Sequence, residues 1–265
     1  MKQGVRIEAL NESNLEDFIY VCSFKWLNDP IHQQGMALKR QWLQQMLKKY
    51  GSCGKTAYLN GKPVAQILFY PEEADVTKIS RRRNVLFVEC VYNPTPEAQK
   101  LGIATGLLHS LVEDAKQRKT CLGNKPCKCI LAKAFNTGES LSLSDFYRKN
   151  GFLSTPENEM LCLPIEGVCQ PREQAEAYEP LEEDRGKAVV FYGPKCQFSY
   201  QFAKTVERII KEVAPGIPIE LINEWQRPQE SIRRKNQWLV VNAKPIRTFF
   251  LDTDKFKEEI RQALD

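Results

Sequence analysis

The chain has 265 residues, with 38 Lys and Arg against 33 Asp and Glu, a formal net charge of +5, 42% hydrophobic and 27% charged residues. That balance fits a folded globular chain and excludes a disordered one. No apolar run reaches the ~20 residues that span a bilayer, and the N-terminus lacks a secretory apolar region, so a cytoplasmic protein with no membrane partner is expected.

The length suits two domains. Basic residues are scattered apart from Arg81-Arg82-Arg83 and Arg233-Arg234-Lys235, which is too little to prompt a nucleic-acid partner. Nine cysteines without a secretion signal predict reduced thiols rather than a disulfide framework. Cys121, Cys127 and Cys129 lie close together but lack the paired spacing of a structural zinc site. The expectation is a thiol-bearing loop without metal, with metal binding there left open. With only His32 and His109 in the chain, a Ser or Cys triad lacks its usual base.

Val5 to Ala9 reads as a strand, and Asn11 as the cap of a helix with Leu15, Phe18, Ile19 and Cys22 on one face. Leu38, Trp42, Leu43, Met46, Leu47 and Tyr50 mark a second amphipathic helix, stopped by Gly51. Thr56 to Leu59 and Val64 to Tyr70 flank Asn60-Gly61, a type I′ hairpin signal. Val85 to Tyr92 is almost continuously apolar, as in a strand covered on both faces. Its only acid, Glu89, is the candidate general base, because burial in an apolar strand raises a carboxyl's pKa. Asn93-Pro94-Thr95-Pro96 interrupts the ladder. A helix then begins at Ile103, with Leu107, Leu108, Leu111, Val112 and Ala115 on its buried face. Gly102 and Ala104 leave its first turn nearly bare, so unpaired amides and the helix dipole are open to an anion.

Gln99, Gly102 and Ala104 match the Gln/Arg-x-x-Gly-x-Gly/Ala signature at a strand-to-helix junction, and here the sequence resembles the GNAT superfamily of acetyl-CoA-dependent N-acetyltransferases. Asn136 after the next strand (128 to 135) and Tyr147 before Gly151-Phe152 resemble two further family positions. The resemblance covers residues 1–165 and implies a mixed central sheet flanked by helices. It implies that Gln99, Lys100, Leu101, Gly102, Ile103, Ala104 and Thr105 hold the pyrophosphate of coenzyme A, that Val91 and Tyr92 face its pantetheine arm, and that Asn136 assists. Tyr147 then acts as general acid toward the departing thiolate, and a backbone N–H near Val91 meets the oxyanion. The Arg triplet reads as a solvated loop, or alternatively as an attraction for the 3′-phosphate of coenzyme A. The implied activity is direct acetyl transfer to an amine of a small molecule or peptide; the acceptor is not legible, and a homodimer is left open.

Residues 166–186 turn Glu-rich and read as a linker. Residues 187–265 restart as strand (Ala188–Tyr192), helix, strand (Ile217–Ile222), polar helix, a strand pair (Trp238–Val241 and Ile246–Leu251) and a final helix from Thr253. That layout resembles a small thioredoxin-like α/β domain of the YoaP-like group, with Cys196-Gln197-Phe198-Ser199 at the place of C-x-x-C. Cys196, opening a helix, is the candidate reactive thiol; Ser199 stands where the resolving cysteine would be. Two alternatives to the transferase follow: a thiol- or redox-handling protein acting through Cys196, and a non-catalytic acetyl-CoA-binding sensor.

Overall fold

The computed structural model describes residues 4–134, 142–157, 159–170 and 177–265. The chain divides into two compact units: Met1–Lys25, Arg40–Asp75 and Ser80–Gln174 form one, and Trp26–Lys39, Val76–Ile79 and Ala175–Asp265 the other.

In the first unit, β1 (Val5–Ala9) leads into a 3-10 turn and helix α1 (Leu15–Ser23). Asn11 caps that entry: its side chain accepts from Ser13 N at 2.9 Å, while Asn14 Oδ1 accepts from Asn11 N at 2.8 Å. Helix α2 (Pro30–Tyr50), whose residues 30–39 belong to the second unit and 40–50 to the first, starts earlier than its apolar periodicity predicts. Asp29 Oδ1 accepts from Ile31 N and His32 N at 2.8 and 3.0 Å, so Asp29-Pro30 is an N-cap followed by proline at the first helical position. Strands β2 (Gly54–Leu59) and β3 (Lys62–Pro71) join through Asn60 and Gly61 with φ of 51° and 82°, the left-handed pair that a type I′ turn needs. Then come β4 (Val85–Tyr92), α3 (Ile103–Lys116), β5 (Cys129–Lys133), α4 (Leu143–Lys149), β6 (Leu153–Ser154) and β7 (Met160–Pro164). These strands make one sheet in the order β1-β2-β3-β4-β5-β7-β6. Only β4 and β5 are parallel, so the sheet is mixed. Leu107, Leu108 and Leu111 of α3 and Phe18 and Ile19 of α1 are all buried.

The second unit contains β8 (Ala188–Tyr192), α5 (Phe198–Val213), β9 (Ile219–Asn223), α6 (Pro228–Arg233), β10 (Leu239–Val241), β11 (Lys244–Pro245) and α7 (Thr253–Leu264). Its sheet runs β11-β10-β8-β9, with β8 and β9 parallel and the other pairs antiparallel. Val190, Val206, Ile210, Leu239, Phe256 and Ile260 lie in its core. The expected strand over Ile246–Leu251 does not form. Glu259 accepts from Arg247 N at 2.8 Å and Thr248 N at 2.7 Å, so a carboxylate uses the donors that a ladder would need.

The Arg81-Arg82-Arg83 run departs from the expected solvated or phosphate-seeking role, because its central arginine is only partly exposed and bonded to acids, and the central arginine of the second run is buried. Arg82 grips both oxygens of the fully buried Glu72 at 2.6 and 2.9 Å and reaches Glu157 Oε1 and the carbonyl of Gln170, each at 2.8 Å. Arg234 grips both oxygens of buried Asp184 at 2.8 and 2.6 Å and also meets Glu230 and Glu183. Burial opposes the Arg234 charge, but the bonds from Asp184 and Glu230 prevail and hold its pKa above the ordinary arginine value. The expected set of reduced thiols also changes, since Cys162 and Cys169 are disulfide-bonded.

Removing one partner of a buried ion pair strands the other. Arg82→Ala and Arg234→Ala are each expected to lower the unfolding free energy by about 3–5 kcal/mol, and exposed Arg83→Ala by less than about 0.5 kcal/mol. Urea titration checks this, and equal losses at all three positions would contradict it.

Candidate active site

The geometry begins with a mismatch between the two neighbours of β4. Pairing with β5 ends at Val88 opposite Ala132, whereas pairing with β3 continues to Tyr92 opposite Gln66. On the β3 side the register passes from Phe69↔Val88 to Leu68↔Cys90, so Glu89 is the extra residue of a β-bulge. A bulge re-aims its side chain and bends its strand. Glu89 therefore stands just past the last β4–β5 pair among the described residues, where β3 continues as the paired neighbour.

Tyr70 of β3 holds the Glu89 carboxylate. Its hydroxyl lies 3.0 Å from Glu89 Oε2 and 3.2 Å from Asp75 Oδ2, and both Tyr70 and Asp75 are buried. The phenol has one hydrogen, so it donates to one carboxylate at a time. Burial first, then the charges of Glu89 and Asp75, push the Tyr70 pKa far above its ordinary 10. Trp42, edge-on at 5.8 Å, and Phe87 at 5.6 Å fix the ring.

Tyr147 comes from α4, where Ser142 caps the helix. Its ring packs on Phe146 at 5.3 Å and Phe152 at 5.1 Å. Burial raises its pKa, and the charges of Cys90 and Glu89 raise it further. The same electrostatics bring Tyr147, Cys90 and Glu89 into one neighbourhood. Cys90 is half-exposed and faces Gln66, whose Nε2 lies 3.5 Å from Cys90 Sγ and 3.0 Å from Cys22 Sγ. The buried Gln66 Oε1 has no hydrogen-bond partner among the described residues.

Past the strand, Asn93 Nδ2 donates to Ala98 O at 2.9 Å and Thr95 Oγ1 to Val64 O at 3.2 Å, fixing the crossing. Lys100 and Gly102 then take φ of 58° and 77°, and Gly102 is the N-cap of α3 without a side-chain cap bond. A Cβ at Gly102 would meet nothing within 4 Å. The first helical bond is Gly106 N to Gly102 O at 2.9 Å, so the amides of Ile103, Ala104 and Thr105 precede the helical ladder. Ile103 is buried, while Gln99, Lys100 and Gly102 are exposed and Leu101, Ala104 and Thr105 half-buried. Val91 and Tyr92 are half-exposed on the strand that leads there. Asn136 lies outside the described residues.

Cys196 belongs to the second unit. It is exposed and sits two residues before α5 rather than inside its first turn. Ser199 N donates to Cys196 O at 3.0 Å, and Ser199 Oγ accepts from Gly193 N at 3.0 Å. Among the described residues Cys121, Cys127 and Cys129 do not bring their three sulfurs to within metal-ligand range of one another: Cys121 pairs with the Cys53 thiol, and Cys127 Sγ lies 3.4 Å from Cys129 O.

The sequence reading missed Tyr70, Asp75 and Gln66. Tyr70 ends an apolar hairpin strand and reads as core, and Asp75 sits in a short acidic turn without a motif.

Similar solved structures include a GNAT family acetyltransferase from Brucella melitensis in complex with acetyl-CoA, at 13% identity over 64% of this chain and 93% of that chain, with a TM-score of 0.42. The PaiA N-acetyltransferase from Thermoplasma acidophilum in complex with coenzyme A is similar at 17% identity over 60% and 96%, with a TM-score of 0.42. The ribosomal-protein-S18-alanine N-acetyltransferase from Escherichia coli is similar at 13% identity over 64% and 99%, with a TM-score of 0.40. No protein-family model and no curated protein matches the chain.

The two tyrosines separate by stability. Tyr70→Phe takes a donor from two carboxylates and is expected to cost about 1–3 kcal/mol. Tyr147→Phe removes a hydroxyl with no hydrogen bond to the described residues and is expected to cost less than about 1 kcal/mol. Denaturant unfolding of both variants checks the difference, which a costlier Tyr147→Phe would overturn.

Proposed function

We propose that the first unit is an acetyl-CoA-dependent N-acetyltransferase that transfers acetyl directly to an amine of a small molecule or peptide. The observation that carries this reading is the bulge at Glu89, which sets a carboxylate bonded to Tyr70 14 residues ahead of a helix N-terminus without a side-chain cap on the same chain (89 to 103).

An alkyl amine with pKa near ~10 is about one part in a thousand neutral at pH 7, so freeing its lone pair costs ~4 kcal/mol. Glu89 takes that proton directly or through water. The amides of Ile103, Ala104 and Thr105, reached across Gln99, Lys100, Leu101 and Gly102, bind the donor's pyrophosphate. Val91 and Tyr92 lie along its arm, with the Val91 N–H toward the oxyanion, and Asn136 is assigned beside them by resemblance alone. Tyr147 remains protonated at neutral pH, the state needed to serve the leaving sulfur. Complete transfer from a phenol above 10 to a thiolate near ~8.5 would run uphill, so the hydroxyl stabilises the departing thiolate by donating a hydrogen bond.

For the second unit we propose a thioredoxin-like arrangement of the YoaP type over residues 187–265, with 1–165 as the transferase and 166–186 as the link. The support is its β-α-β-α-β-β-α order with β8 and β9 parallel across α5. Cys196 is its reactive thiol, in a monothiol role because Ser199 stands where the resolving cysteine would be.

Release of coenzyme A thiol from acetyl-CoA, followed across a panel of amines, tests the transferase; tight binding with no release for any amine would favour a sensor. Glu89→Gln is expected to lower kcat by ~10²–10⁴-fold with acetyl-CoA affinity unchanged. Gly102→Val, strained at positive φ and crowding the amides, is expected to weaken acetyl-CoA binding instead. Cys196→Ser is expected to leave acetyl transfer intact while removing thiol reactivity; loss of both would overturn the separation of roles.

A further inference from the structure

The sulfur atoms of Cys129, Cys162 and Cys169 all lie within 4.8 Å of one another. Cys129 of β5 and Cys162 of β7 are each 1% exposed. Cys129 is opposite Pro164 and Cys162 opposite Leu131, so the two point to one face as diagonal neighbours. Cys169 returns over them after β7, and features other than the disulfide fix that return. Arg82 donates to Gln170 O at 2.8 Å, and Gly167 passes so close to β5 that a Cβ there would lie 3.2 Å from Lys128 Cβ.

We propose that Cys129, Cys162 and Cys169, with the Cys162–Cys169 bond reduced, form a three-thiolate site for a monovalent copper ion. Metal–sulfur bonds of ~2.3 Å in a trigonal plane separate sulfurs by about 4 Å; the Cys129 sulfur already lies within 4.8 Å of both others, so reduction has only to let the bonded Cys162 and Cys169 sulfurs part. A structural zinc site is almost always four-coordinate, and the described residues supply no fourth ligand. Cys127 is the nearest in sequence, but its sulfur is not part of the group and lies 3.4 Å from Cys129 O instead. All-sulfur ligation selects soft ions, Cu(I) among them. Cys129 pairs with Val85, four residues before Glu89 on β4, so the ion lies toward the other end of that strand and takes no part in acetyl transfer.

The chemistry balances with a trialkylphosphine as reductant. It passes two electrons to the S–S bond and becomes the phosphine oxide with oxygen from water, and two protons complete the thiols. Copper then displaces a proton from each of the three thiols without changing oxidation state.

The test uses the full-length protein, reduced anaerobically with a phosphine, freed of it, and titrated with Cu(I) as its acetonitrile complex against a chromogenic Cu(I) chelator. One equivalent is expected to resist the chelator in reduced protein and none in the oxidised protein. X-ray absorption on the reduced wild type should read three sulfur neighbours. Cys129→Ser, Cys162→Ser and Cys169→Ser should each lose the equivalent, and Cys127→Ser and Cys196→Ser should keep it. The proposal fails if the oxidised protein binds equally, if any of the three variants keeps the ion, if copper shows two sulfurs or nitrogen ligands, or if zinc in four-coordinate form displaces copper. The absorption measurement on wild type keeps it falsifiable should a variant not fold.

Discussion

The candidate site depends on one constraint, the bulge that takes Glu89 out of register with β3. Up to Val88 the backbone groups of β4 are shared between β3 and β5; beyond it, among the described residues, the pairing continues with β3 as far as Tyr92. A bulge re-aims its side chain and bends its strand, and Pro94 and Pro96 end the strand within a few residues. Those prolines and the left-handed turns at Lys100 and Gly102 carry the chain to the start of α3, so the carboxylate and the first-turn amides follow one another along 17 residues (89 to 105).

Two arginines, each gripping a buried carboxylate, hold segments that the sheets do not. Arg82 ties the loop before β4 to Glu157 and to the carbonyl of Gln170, and Arg234 ties the end of α6 to the turn at Glu182–Asp184. Such pairs add little net stability over an apolar core, because two charges must leave water. Their geometry is nonetheless specific, since a guanidinium satisfies a carboxylate only in the forked arrangement. They fix where irregular chain lies, and in the first unit that includes the return that carries Cys169.

Most of the regular structure was legible because it is written locally. The apolar runs of β3 and β4 and the period of α3 are properties of consecutive residues, and Asn60-Gly61 sets its own turn. The N-terminus of α2 was also written, in Asp29-Pro30, but periodicity pointed further along. What could not be read depends on partners distant in sequence. The middle arginine of a basic triplet looks like its neighbours until Glu72 or Asp184 is folded against it. Ile246–Leu251 has strand composition, yet Glu259 of a later helix takes its donors. Glu89 was visible as the only acid in a strand, whereas its bulge is a register between two strands and exists in neither alone.

The shared hydroxyl of Tyr70 ties this bulge to the turn that follows β3. One hydrogen cannot serve two acceptors at once, so the phenol donates to Glu89 or to Asp75 while remaining un-ionised itself, as its strongly raised pKa requires. Trp42 and Phe87 hold its ring, so the hydroxyl can turn between the two carboxylates without displacing either. A bulge aims a side chain but does not by itself hold it; the fixed phenol supplies the hold, and the position of the Glu89 carboxylate follows from the two together.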